Sequence, residues 1–92
     1  MEFKSLAWLI GEPLKFVLGD YEQFPPDGEV KIIDEFDKSV LLDMEYIECH
    51  GWMQREPRHI RILVSKSSLI CGDWVLQRMN GQRVMAEKVV TG

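Results

Sequence analysis

A small all-β barrel or sandwich is the fold class this sequence predicts, and three observations carry it. The apolar residues fall in short blocks, about four to eight residues each, with turn signals around every block. The stretch Gly28–Ile47 alternates apolar and polar side chains on both sides of an acidic turn, a period of two that belongs to strands. Gln23–Gly28, Cys71–Asp73 and Asn80–Gly81 supply turn residues between the remaining blocks.

Met1–Ile10 places Phe3, Leu6, Ala7 and Ile10 at helical spacing. Ser5 is available as a cap and Gly11 and Pro13 stop the run, so a short N-terminal helix is expected. Leu14–Tyr21 alternates as a first strand, with Gly19–Asp20 as a bend. Gln23–Gly28 carries two prolines and Asp27–Gly28, the strongest turn signal in the chain. The central hairpin follows, its two strands meeting at Glu35–Phe36–Asp37–Lys38. Cys49–Pro57 reads as a polar, irregular loop, and Arg58–Ile70 as a fourth strand running through Ser65–Ser68. Cys71–Gly72–Asp73 is a turn and Trp74–Met79 a fifth strand. Asn80–Gly92 fits either a hairpin return after Asn80–Gly81 or a short helix; the helix formers in Met85–Lys88 tip the reading to helix.

The 92 residues suit one domain with a single core, and 46% hydrophobic with 28% charged residues is ordinary for a soluble protein. A net charge of −4 with no basic run beyond two adjacent residues argues against a grip on duplex DNA or an anionic membrane. Arg55, Arg58, His59 and Arg61 form the densest basic cluster, broken by Glu56 and Pro57. Two cysteines without a signal-peptide pattern, and no apolar run of roughly 18 residues, lead to the expectation of a soluble protein in a reducing compartment.

Catalytic patterns are lacking. Asp34, Glu35 and Asp37 share one turn, where like charges are normally held apart by solvent. Cys49, His50, His59 and Cys71 are of zinc-ligand type, but an adjacent pair followed by two single residues lacks the short paired spacing of structural sites. There is no phosphate-cradling glycine loop, G-x-S-x-G or H-E-x-x-H. Neither a catalytic residue, a metal nor a cofactor is expected.

A short helix, five strands, a D-x-F-x-x hairpin turn and an I-x-G-D turn before the last strand together resemble the Sm/LSm family, over about residues 3–79. Gly28, Asp34, Phe36, Val40, Leu41 and Glu45 fall in register with the family's first motif, and Ile70–Cys71–Gly72–Asp73–Trp74–Val75 is similar to its second. The resemblance implies one Sm-like domain over residues 1–92: a five-stranded, SH3-like barrel with an N-terminal helix and residues 80–92 as a C-terminal extension. It also implies RNA contact at Phe36, Lys38 and Gly72. Two departures weaken that contact. The family's base-reading asparagine is Lys38 here, a donor only, and its second-motif cation is Cys71. A degenerate RNA site is expected.

Family members pair strand four of one subunit with strand five of the next. The corresponding residues are Ile60, Ile62 and Val64 on one side and Trp74, Val75 and Leu76 on the other, which implies a subunit interface there. A chain that keeps its edges and loses its base-reading residues is similar to the Gemin-type Sm-fold subunits of the SMN complex. The resemblance then implies a cytoplasmic and nuclear scaffold in spliceosomal snRNP assembly. Its partner would be another Sm-like protein in a heterodimer or ring, with snRNA or U-rich RNA contacted indirectly. The alternatives are a divergent LSm ring subunit on U-rich RNA in splicing or mRNA decay, and the Sm-like auxiliary subunit of an N-terminal acetyltransferase. Outside the family stands an SH3-like adaptor that grips proline-rich peptides through Tyr46, Trp52 and Trp74.

Overall fold

Alternation along the central hairpin sets the architecture. The computed structural model describes residues 3–19 and 28–89. Strand β1 spans Leu14–Leu18, β2 Glu29–Glu35, β3 Ser39–His50, β4 Gln54–Ser65 and β5 Val75–Arg78. A 3₁₀ turn over Ala7–Leu9 precedes them, and a helix, α1 (Lys66–Cys71), joins β4 to β5. All neighbouring strands are antiparallel, in the order β4-β3-β2-β1-β5. The sheet is open: β4 and β5 are its two edges and do not pair with each other, so the closed barrel is not formed.

Period-two patterning fills one face. Val30 and Ile32 of β2, Val40, Leu42 and Met44 of β3, and Val64 of β4 are buried, as are Leu14, Phe16 and Leu76 of β1 and β5. Cross-strand register puts Val40 opposite Val64, Leu42 opposite Ile62 and Met44 opposite Ile60, so one stripe of each strand meets the next. Trp74 packs edge-on against Phe16, ring centroids 5.6 Å apart. The intervening residues form the outer face, with Leu41, Asp43 and Glu45 opposite Leu63, Arg61 and His59.

Four expectations need correction. The N-terminal helix shrinks to one 3₁₀ turn, because Phe3 and Lys4 are drawn into extended pairing with Lys88 and Glu87. The N-cap of that turn is Leu6 and not Ser5, whose hydroxyl only accepts a local bond from the Ala7 amide at 3.1 Å. The supposed loop Cys49–Pro57 is instead a two-stranded ribbon, with β3 and β4 paired residue for residue from Ser39↔Ser65 to His50↔Gln54 around a turn at 51–53. Its distal half stands beyond the core, where polar residues suit both faces and no alternation survives to be read. Arg58 holds it together, donating to Glu48 at 2.8 Å and Glu56 at 3.0 Å.

The fourth strand stops at Ser65, not Ile70. Ser65 caps α1 by accepting from the Ser67 amide, and Gly72 ends it in the left-handed conformation at φ 89°. The predicted turn at Cys71–Asp73 is that helix end. Finally, residues 80–89 are not helical. After the turn at Asn80–Gly81 the chain runs back extended along β5, burying Val84 and Ala86. The end of the first predicted strand past Gly19, and the turn from Gln23 to Asp27, lie outside the described residues.

A second fastening joins the N-terminal segment to β5. The Arg78 guanidinium donates to both carboxylate oxygens of Glu12, at 2.6 and 2.9 Å, and to Gln82 Oε1 at 3.0 Å, while lying 5.3 Å from the Trp8 ring centre. Those hydrogen bonds hold the Glu12 carboxyl below its ordinary range.

Gly19 has no room for a side chain: a Cβ there would stand 2.7 Å from the rings of Phe16 and Trp74. Gly19→Ala is expected to destabilise the fold by about 1–3 kcal/mol through overpacking. Urea unfolding should show a lower midpoint with an unchanged slope.

Candidate functional site

The β2–β3 turn is where the sequence concentrates charge around an exposed aromatic. Phe36 closes it, its amide donating to the Ser39 carbonyl at 2.8 Å, and Asp34 braces it by accepting from the Glu35 amide at 2.8 Å. Phe36 keeps 49% of its surface in solvent. Beside it lies a depression of about 430 Å³ lined by Phe3, Ser5, Glu35, Asp37, Lys38 and Lys66 as well as Phe36.

One half of that lining is locked. Glu35 and Lys66 form an ion pair at 3.0 Å with side chains only 13% and 3% exposed. The Glu35 carboxylate also accepts from the Ser5 hydroxyl at 2.8 Å and from the Leu6 amide. Lys66 lies 5.9 Å from the centre of the Phe3 ring. Burial alone pushes the Glu35 carboxyl up, but the Leu6, Lys66 and Ser5 hydrogen bonds and the Lys66 charge together outweigh it and hold the group below its ordinary value of 4.5. Lys66 is thus committed to a carboxylate in the wall. The free polar groups of the depression are Asp37 and Lys38, of opposite sign.

The three residues expected to touch RNA are only partly brought together. Phe36 and Lys38 share the depression, while Gly72 does not line it and sits at the end of α1. Beside Gly72 stands the tail: the Arg83 guanidinium is 3.6 Å from where a Gly72 Cβ would lie. Sequence reasoning missed the Glu35–Lys66 pair. Lys66, directly after a strand and directly before a helical turn, carries no local signal that it is buried.

All but one of the interface candidates sit on β4 and β5, Trp74 lying just before β5, and most of them face this chain's own core. Val64, Trp74 and Leu76 are buried in this chain's own core, and Ile60, Ile62 and Val75 are half-buried. What the edges offer a partner is therefore backbone. Along its twelve residues β4 pairs with β3 alone among the described strands. On β5 the outer edge is already engaged: Leu76 O accepts from Val84 N at 2.8 Å and Arg78 N donates to Gln82 O at 2.7 Å.

The aromatics proposed to grip a proline-rich peptide do not converge. Trp74 is buried against Phe16, Trp52 projects from the ribbon tip at 92% exposure, and Tyr46 lies midway along β3 opposite Arg58. The residues of zinc-ligand type are likewise dispersed. His59 Nδ1 lies 3.0 Å from Asp43 Oδ2, the Cys71 thiol donates to the Ser68 carbonyl at 3.6 Å, and Cys49 is exposed on β3. No cluster of three metal-ligating side chains occurs among the described residues, and no helix there is long and apolar enough to cross a membrane. No protein-family model, curated protein or solved structure matches the chain.

Because the Glu35 pKa is lowered by folding, its contribution to stability is complete above about pH 4.5 and is lost as pH falls through the depressed folded value. Glu35→Gln leaves the buried Lys66 charge uncompensated and should destabilise the chain by about 3 kcal/mol at neutral pH. Thermal melts from neutral pH down to about pH 3 should show a smaller acid-induced loss in the variant than in the native chain.

Proposed function

We propose that this chain is a non-catalytic, Sm-like scaffold subunit that pairs by strand edges with another Sm-like protein in ribonucleoprotein assembly. The observation that carries the reading is the sheet itself. Five antiparallel strands run in the order β4-β3-β2-β1-β5, and among the described residues the outer edge of β4 has no strand beside it, interrupted as a donor row only at Pro57. An edge of twelve residues with Ile60, Ile62 and Leu63 along it is a template for another strand, and proteins that keep such an edge generally cover it. The Gemin-type role in spliceosomal snRNP assembly is the finer form of the proposal. It rests on the resemblance around Leu6–Trp8 and Ile70–Met79.

The state of the RNA site supports a scaffold over a reader. Lys38 replaces the amide that would read a base edge, and the other lysine of the depression is bound to Glu35. One observation favours the rival, a ring subunit on U-rich RNA: Phe36 remains half exposed and offers a stacking face. The two readings differ in what they require of Phe36. As a scaffold, the chain is expected to show no measurable oligo-uridine binding, alone or paired, and Phe36→Ala should leave pairing with an Sm-like partner unchanged in sedimentation velocity. Oligo-uridine binding that weakens on Phe36→Ala would replace the scaffold reading with the ring subunit.

A further inference from the structure

The two edges of the sheet are not equivalent, and this restricts what can join them. The chain's own residues 82–84 lie on the outer edge of β5, through the Val84–Leu76 and Gln82–Arg78 backbone hydrogen bonds and the Gln77↔Arg83 bridge. That segment is anchored further along by Lys4 N to Glu87 O at 2.8 Å and by the Lys4–Glu87 ion pair. A strand seeking β5 must first displace buried Val84 and Ala86. A strand seeking β4 displaces nothing that the described residues contain.

The side chains of β4 then say what kind of strand fits. Three arginines, Arg55, Arg58 and Arg61, stand against one carboxylate, Glu56, in a chain whose net charge is −4. Arg55, His59 and Arg61 share the outer face, and all three are exposed. On the opposite face at the same edge, Ile60 and Ile62 are only half-buried and pack against the core. The outermost strand is therefore basic on its outer face and, from Ile60 to Val64, apolar on the other.

Acids lie behind it on β3. Asp43 is 3.4 Å from Arg61 and 3.0 Å from His59, while Glu48 holds Arg58. The Arg58, His59 and Arg61 side chains are 50%, 53% and 66% exposed, so each has a face open to an incoming carboxylate, while Asp43, 15% exposed, lies behind His59 and Arg61. A new strand lies about 4.8 Å from β4 and twice that from β3, so the arginines dominate the field it meets. Two copies of β4 paired antiparallel about Arg58 would set Arg55 against Arg61 and Arg58 against Arg58, which disfavours self-association in that register.

We infer that β4 alone is the docking edge, and that its occupant is an extended partner strand alternating acidic and apolar residues. Carboxylates of that strand fall on the Arg55–His59–Arg61 face, and its apolar side chains extend the core past Ile60 and Ile62. The stoichiometry is one strand per chain, a pair and not a ring. This inference rests on the scaffold reading and names its partner's chemistry.

The test uses the isotope-labelled full chain and three short peptides: valine alternating with glutamate, valine alternating with lysine, and the first with proline at alternate positions. The valine–glutamate peptide should shift the amide signals of Gln54–Glu56 and Arg58–Ser65 and leave those of Gln82–Val84 in place. The lysine and proline peptides should bind at least about tenfold more weakly, as should the valine–glutamate peptide to the double variant Arg55→Glu, Arg61→Glu. Both positions are exposed, and unchanged melting of the double variant, or of its neutral Gln counterpart, separates lost binding from lost fold. Equal binding of the glutamate and lysine peptides would overturn the inference. So would shifts centred on β5 with the tail released, although strand-edge pairing itself would stand. If no peptide binds either edge and no Sm-like protein pairs with the chain, the scaffold reading falls together with the inference.

Discussion

Three donors converge on the Glu35 carboxylate: the Leu6 amide, the Ser5 hydroxyl and the Lys66 ammonium. They come from the segment before β1 and from the start of α1, while Glu35 itself ends β2. One half-buried carboxylate, paired with the buried Lys66, thus fixes how the chain enters the sheet and how it leaves β4. The consequence reaches further. With residues 3–6 held in place, Phe3 and Lys4 present an extended backbone to Lys88 and Glu87, and the tail is guided along β5. Buried ion pairs add little stability over an apolar replacement, but they penalise any arrangement that separates the partners. Here that penalty falls on unfastening both chain termini from the sheet.

The parts of the fold that were legible in the sequence are those where one face meets the core. β2 and β3 alternate because Val30, Ile32, Val40, Leu42 and Met44 point inward and their neighbours do not. Past Met44 and Ile60 none of residues 45–49 and 51–59 is buried, so the alternation that runs to Ile47 has no core to maintain it through Cys49–Pro57. Helix α1 is six residues long, too short for any periodicity, although Ser65 and Gly72 at its ends carried the capping signal. In the tail, Val84 and Ala86 alternate correctly, but the helix formers nearby pointed the other way and tertiary pairing prevailed. The Glu35–Lys66 pair had no local signal because its partners meet only after the sheet has formed.

The candidate site was legible in composition and not in geometry. Phe36 and Lys38 do share a depression, yet the structural demand on Glu35 fills its wall with groups already bound to one another. Gly72 serves as a helix terminator, a role any Gly at that φ fulfils without RNA. The sheet edges carry the more informative asymmetry. The same fastening that starts at Glu35 covers β5 with residues 82–84, while among the described residues nothing covers β4, so the placement of residues 3–6 and 82–88 sets which edge faces outward.

That asymmetry is open to direct measurement in the isolated chain by residue-resolved amide hydrogen exchange. The amides of Arg78 and Val84, which bond across the covered edge, should exchange at rates set by opening of the core. Along β4, the amides of Arg55, His59, Arg61 and Leu63 should exchange quickly, since they face away from β3 with no acceptor among the described residues; Pro57, between them, has no amide. Slow exchange at all β4 amides, or fast exchange at Arg78 and Val84, would contradict the division into one open and one covered edge.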